Sequence, residues 1–249
     1  MLNIPPMYVF LAQILTTLLP YGTGDNLYPI ECEQRSIDTT FDTNVHVEAS
    51  ASYPRVPETS FLAYHVNEAL RKEAHDVYDL FVQEMSTPQQ LWDEGADERI
   101  LRYHLSLVHY TPALMSFYGS DYKDRGGVHG SVQYITKTFC LQDDTMLELS
   151  LEDLFLPGSR DWLFRYCEDY FKSNRYGYYG YDDYSWVGFN PEHLDAFLPT
   201  EKGILFIFQN YVVWGYDDYP MTLLIPYATL APFANPDGPI PALLKLDDY

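Results

Sequence analysis

The chain has 249 residues, 47% of them hydrophobic, enough for one large domain or two small ones sharing a core. Asp and Glu number 36 against 15 Lys and Arg, a formal net charge of −21. A surface this acidic repels nucleic-acid phosphates and anionic lipid and attracts cations or a basic protein, although solubility alone would also account for it.

Residues 1–21 carry an apolar run from Ile4 to Leu19, interrupted by Gln13, Thr16 and Thr17. It is short for a bilayer span but has the length of a signal-peptide core. A possible export signal, no stable membrane span and an extracytoplasmic location are therefore expected. No Lys or Arg precedes Arg35 and no Ala-x-Ala site follows, which leaves a hydrophobic helix docked on the domain as the competing reading. Residues 22–43 are polar and rich in turn formers, and read as a linker.

From Asn44, Val45, Val47 and Ala49 alternate with His46, Glu48 and Ser50, a half-buried strand closed by Tyr53-Pro54. Helix-start residues lie in Pro57 to Ser60. Leu62, Val66, Leu70, Val77 and Phe81 then recur at spacings of four or seven and predict a long amphipathic helix ending before Pro88. Glu98 to Tyr110 returns to period two, with Leu101, Tyr103, Leu105 and Leu107 on one face. Ala113 to Tyr118 and Ser131 to Leu141 follow as strands, and Gln142-Asp143-Asp144-Thr145 is a hairpin turn leading to a partner strand, Met146 to Leu151.

Ser159 can cap a helix reaching about Lys172, with Trp162, Leu163, Tyr166 and Tyr170 as its buried stripe. Residues 174–190 form a Tyr/Gly/Asp-rich loop. Gly203 to Phe208, Tyr211 to Tyr216 and Met221 to Ile225 are further strands, and residues 233–249 make a Pro-rich acidic tail, extended or loosely attached. Helices embedded in long antiparallel runs predict an α+β fold rather than a parallel βαβ sheet. An antiparallel sheet should carry one long N-terminal helix and a second helix.

Certain segments carry a resemblance. Tyr53-Pro54-Arg55-Val56 stands as a Tyr-Pro strand end, and Val66-Asn67-Glu68-Ala69-Leu70 as an Asn-bearing first helix. Gly126-Gly127-Val128-His129-Gly130 is a glycine turn, and Leu149 to Phe155 matches a Leu-x-x-x-Asp-Leu-Phe segment. Ile225-Pro226-Tyr227-Ala228-Thr229-Leu230 closes the series. In this order they resemble the bacterial family that joins a small domain of the type found before peptidoglycan deacetylases (PdaC-like) to an RsiV-like domain. The resemblance implies two co-packed subdomains, 44–120 and 121–232, in an extracytoplasmic module. In the best understood type of that family the outer domain binds lysozyme. Neither a sigma-binding region nor a deacetylase domain is read in these residues, so neither activity is expected.

Chemistry-bearing residues are sparse in pattern. His129 is the first candidate for a general base, because an imidazole titrates near neutral pH. Ser131 and Asp124 lie near it in sequence, yet no G-x-S-x-G or H-E-x-x-H pattern accompanies them. The reading adopted is that Gly126, Gly127, His129 and Gly130 form a structural turn that the histidine braces. His75 with Asp79, and His65 with Glu68, have ligand spacing on a helix, but ion pairs on a solvated face explain them equally. His104 and His109, five apart on a strand, point to opposite faces unless a bulge intervenes. The paired acids Asp143-Asp144, Asp182-Asp183 and Asp217-Asp218 belong to turns, where Asp bonds its own backbone. Cys32, Cys140 and Cys167 are odd in number and lack a CxxC pair, so no obligatory disulfide is expected. No catalytic residue, metal or cofactor is expected.

The chain has 23 tyrosines, and two loops repeat one signature: Tyr181-Asp182-Asp183-Tyr184 and Tyr216-Asp217-Asp218-Tyr219, the first followed by Trp186. Stiff aromatic anchors beside acids and glycine hinges suit a binding face for Arg and Lys side chains of a basic protein. Stacked rings and Asp acceptors would also suit a cell-wall glycan, and ordinary tyrosine-rich hairpin ends would carry the same residues. A non-catalytic envelope domain that binds a basic protein, such as lysozyme or another wall hydrolase, is the functional expectation. A peptidoglycan-binding module or glycan hydrolase is the alternative.

Overall fold

The computed structural model describes residues 31–40, 46–86, 98–126, 129–173, 188, 190–213 and 220–240. Within them the fold is α+β, with a six-stranded sheet in the order β1-β2-β3-β4-β5-β6 and a three-stranded sheet in the order β7-β8-β9. The strands of the first are β1 Glu31–Thr40, β2 His46–Arg55, β3 Glu98–Thr111, β4 Leu114–Asp124, β5 Ser131–Gln142 and β6 Thr145–Glu148. Those of the second are β7 Phe197–Pro199, β8 Gly203–Phe208 and β9 Met221–Pro226. Four α-helices lie among the described residues: α1 Phe61–Ser86, α2 Leu151–Leu154, α3 Ser159–Ser173 and α4 Tyr227–Leu230. Among the described residues, no helix is long and apolar enough to cross a membrane.

Pairing is antiparallel throughout except between β2 and β3, which run parallel with α1 between them in the chain. A βαβ unit is thus inserted into an otherwise antiparallel sheet, which local periodicity cannot reveal. The helix packs on that unit. Leu62, Val66, Leu70, Ala74 and Phe81 share one buried cluster with Val47, Ala49 and Ala51 of β2 and with Leu101, Tyr103 and Leu105 of β3. The small residues on β2 let the helix backbone lie close, and each buried leucine contributes about 1.5–3 kcal/mol relative to exposure. Tyr78 takes the core position predicted for Val77, which is only half-buried.

A second core forms around β8, whose six residues are all buried. Ile204, Phe206 and Phe208 pack with Leu163, Cys167 and Phe171 of α3, while Leu205 and Ile207 turn to Tyr118 and Tyr134 of the six-stranded sheet. Burial on both faces is why this strand reads as an unbroken apolar run. The sheet is continuous through residue 120, which lies inside β4.

Several expectations are corrected. The linker assigned to 22–43 contains β1, a ten-residue strand paired along its full length with β2. Its inward residues are Glu33, Arg35, Ile37 and Thr39, and Arg35 lies 4.5 Å over the Tyr78 ring while pairing with Asp79 at 2.7 Å. An outer strand held in this way needs almost no apolar pattern. On α3 the buried stripe is Leu163, Cys167 and Phe171, and the larger Trp162, Tyr166 and Tyr170 flank it half-buried. The expected strand at Tyr211 is a turn over its described part, with Tyr211 at φ 62°; residues 214–219 lie outside the described residues. The partner strand of the Asp143-Asp144 turn ends at Glu148, and the chain turns into α2. Residues 233–240 are attached rather than loose: Phe233 stacks on Trp162 at 4.0 Å, and Ile240 is fully buried.

Candidate functional site

The glycine turn joins β4 to β5. Gly126 has φ 82°, a left-handed backbone that favours glycine, and its N–H donates to the Asp124 carboxylate at 2.7 Å. A Cβ there would lie 1.6 Å from Nη1 of Arg99, a β3 arginine that is itself buried. Gly130 is pressed by the ring of Tyr122, whose hydroxyl would stand 2.3 Å from a Cβ. Gly127 lies outside the described residues. His129 is exposed, and its only hydrogen bond within them is between Nδ1 and the adjacent Gly130 carbonyl, at 3.3 Å. The turn is held by Asp124, Arg99 and Tyr122 more than by the histidine.

The other segments of the resemblance also have packing roles. Asn67 grips Val56 at the end of β2, accepting its N–H at 2.9 Å and donating to its carbonyl at 2.7 Å. The Leu149–Phe155 segment turns from β6 into α2, with Asp153 accepting the Ser150 N–H at 2.8 Å. Tyr227, where β9 passes into α4, donates its hydroxyl to the Thr200 carbonyl at 2.8 Å.

The helix histidines take partners that are not metals. His75 meets the Tyr53 ring edge-on, His65 stacks beside Phe61, Asp79 pairs with Arg35 and Glu68 with Arg71. Among the described residues, no three His, Cys, Asp or Glu side chains are grouped to hold a metal ion. On β3 the register shifts between Leu107 and His109, the bulge that would put His104 and His109 on one face. They still have separate surroundings. His104 sits between Ser52 and Ser106, 2.8 Å from each hydroxyl. Burial lowers the pKa of both imidazoles, opposed at His109 by the nearby Glu201 carboxylate.

Burial keeps His104 neutral, so one ring nitrogen donates to a serine and the other accepts from one. Among the described residues the array has no carboxylate to orient the ring, and the flanking strand amides are committed to the sheet ladder rather than aimed at an oxyanion. It is built to tie β2 to β3. A comparable tie joins α1 to the sheet: Lys137 pairs with Glu73 at 2.7 Å and Glu148 at 2.9 Å, and the Tyr103 hydroxyl donates to Glu73 at 3.0 Å. Burial opposes the charge on Lys137, but the two carboxylates raise its pKa overall. Neither cluster was visible in the sequence, because both depend on the parallel pairing and the helix register. A surface hollow of about 330 Å³, lined by Leu151, Phe155, Leu156 and Arg160 among others, is mostly apolar, and Arg160 is already bound to Glu152 and Asp195.

Tyr181, Asp182, Asp183, Tyr184, Trp186, Tyr216, Asp217, Asp218 and Tyr219 lie outside the described residues. The elements from which their loops depart are described. The first loop follows α3, whose Phe171 meets Phe208 edge-on at 5.1 Å. The second joins β8 to β9, and Phe208 pairs with Met221 across that hairpin. Both loops therefore leave from one end of the second core.

No protein-family model matches the chain, and no curated protein matches it. Solved structures do. A DUF3298 family member from Bacteroides fragilis aligns over 89% of this chain and 100% of its own, with TM-score 0.54 and 14% identity. A DUF3298 family protein from Pseudomonas aeruginosa aligns over 84% of this chain and 96% of its own, with TM-score 0.56 and 16% identity. At these identities the likeness is one of fold.

Proposed function

We propose that this chain is a non-catalytic, extracytoplasmic binding domain of the PdaC-like plus RsiV-like type, recognising a basic protein such as lysozyme or another wall hydrolase. The observation that carries the reading is that Phe171, near the end of α3 before the first Tyr-Asp-Asp-Tyr signature, packs on Phe208, which pairs with Met221 on either side of the second, in a chain of net charge −21. Acids in the two signatures would steer a cationic partner during encounter, and their tyrosines would supply stiff contact area once it arrives. The α+β fold is shared with solved DUF3298 family proteins, which supports the reading at the level of fold.

The test sets titration against lysozyme beside a pull-down on insoluble peptidoglycan. Saturable, salt-sensitive binding to lysozyme supports the proposal. Retention on wall material that survives high salt, without lysozyme binding, would overturn it in favour of a glycan-binding module.

A further inference from the structure

The two outer edges of the six-stranded sheet are treated differently. On the β5 side, β6 covers Phe139–Gln142, and farther along the Gln209 side chain occupies the backbone of Tyr134, accepting its N–H and donating to its carbonyl, both at 2.7 Å. That edge is stoppered. On the other side β1 is ten residues long, regular and without proline, and its outer backbone groups have no partner among the described residues. A long open edge is a template for another strand, and proteins normally blunt it. Among the described residues one edge is blunted and the other is open.

The side chains along β1 say what would dock. Asp38 stands opposite Glu48 on one face, with 78% of its side chain exposed and, among the described residues, only His46 beside it at 3.4 Å, whereas Glu48 pairs with Arg102 and Glu33, on the other face, with Arg55 and the Tyr53 hydroxyl. Arg35, the strand's single cation, is engaged by Asp79 and the Tyr78 ring. We propose that β1 accepts an extended, basic segment of another protein as an added strand, with backbone hydrogen bonds giving register, a Lys or Arg side chain meeting the exposed Asp38, and the −21 charge of the chain favouring a cationic partner. A second copy fits poorly, because two chains of −21 would bring these acids together. The chain's own first 30 residues contain no Lys or Arg. The partner charge is that of the preceding section, but this site does not depend on the Tyr-Asp-Asp-Tyr loops.

The probe is a ten-residue peptide of alternating Lys and Thr, added to the full chain, with residue-resolved amide exchange as the readout. At ten times its Kd the peptide should slow the alternate, outward amides of β1 about tenfold, by mass action. Its fully N-methylated analogue, which keeps the charge but has no N–H to donate, and a Glu-for-Lys analogue should do neither. Asp38→Lys should weaken peptide binding about fivefold at low salt and leave it unchanged at high salt, as expected for one exposed charge contact.

Three results overturn the proposal. Outward β1 amides that are already slow without peptide mean the chain covers its own edge. Slowing that follows protein concentration means a second copy does. Peptide binding with β1 exchange unchanged, or equal binding of the N-methylated form, places the contact elsewhere. Asp→Asn changes in the two Tyr-Asp-Asp-Tyr loops should leave β1 protection intact, so failure of the loop reading and failure of this one are separable.

Discussion

Asn67 and Val56 form a closed two-bond clamp: one buried carboxamide satisfies both backbone polar groups of a residue eleven positions earlier. It fixes where the chain leaves β2 and how α1 begins. Asn67→Ala would bury an N–H and a carbonyl with no partner, at roughly 1–3 kcal/mol for each group. Urea unfolding should show a lower midpoint with an unchanged m-value. A variant within error of the native midpoint would show that water or a backbone shift replaces the clamp.

The glycine turn should divide by residue. Gly126→Ala meets both φ 82° and the Arg99 guanidinium, and should cost about 1–3 kcal/mol. His129→Ala, at an exposed position with one long bond, should stay within about 0.5 kcal/mol. Thermal unfolding of the two variants checks this, and a larger loss at His129 would restore the bracing role read from the sequence.

Kinetics test the loops. Asp182, Asp183, Asp217 and Asp218 changed to Asn should slow association with lysozyme at low salt more than they speed dissociation. Tyr181, Tyr184, Tyr216 and Tyr219 changed to Ala should instead shorten the lifetime of the complex, by roughly 1–2 kcal/mol for each true anchor. Stopped-flow or surface-based kinetics at two salt concentrations separate the effects. Rates unchanged by all eight substitutions would reduce the loops to ordinary turns.

Stability should fall on mild acidification. Burial depresses the pKa of His104 and His109 below the ordinary 6.5. The unfolded chain therefore takes up protons first as pH drops, so stability is lost from about pH 6.5 down to the folded pKa values, and above that range these two groups leave it independent of pH. Replacing His104 with Gln keeps a polar partner for Ser52 and Ser106 and removes its share of the slope. Urea midpoints between pH 7 and pH 5 measure the difference, and parallel curves for the two proteins would refute the assignment.

The three thiols should differ in reactivity. Cys32 is exposed on β1, while burial raises the pKa of Cys140 and pushes that of Cys167 up to about 12. A neutral alkylating reagent should modify Cys32 alone in the native protein and all three in denaturant. Intact mass reads the count directly, and a constant deficit of two hydrogens before reduction would reveal a disulfide.

Much of the frame was legible in sequence because each element declares its own period. The alternation of Leu101, Tyr103 and Leu105 and the stripe from Leu62 to Phe81 marked buried faces that the structure contains. β1 escaped notice because Ile37 is its sole large apolar residue and its inward face is finished by Arg35 on Tyr78. The α3 stripe was read rightly at Leu163 but one residue off after it, since bulky Tyr166 and Tyr170 outweighed Cys167 and Phe171, which lie in the core. The parallel register of β2 on β3 left no local trace, and with it went the Ser52–His104–Ser106 array. The candidate site was legible only as a repeated four-residue signature. That α3 and β8, which precede the two signatures, pack together became apparent only from Phe171 resting on Phe208.

The parallel seam between β2 and β3 also bears on synthesis. It joins Ser52 to His104, so nothing can close it until some fifty residues more have been made, a span in keeping with the slow closure of non-local pairings. As the chain emerges, the β1–β2 hairpin and α1 come first and find each other, while the meander from β3 to β6 can later zip by short turns. Between those moments the nascent hairpin offers two open sides instead of one. The interval in which α1 is finished and β3 is not is when a chaperone would be needed most.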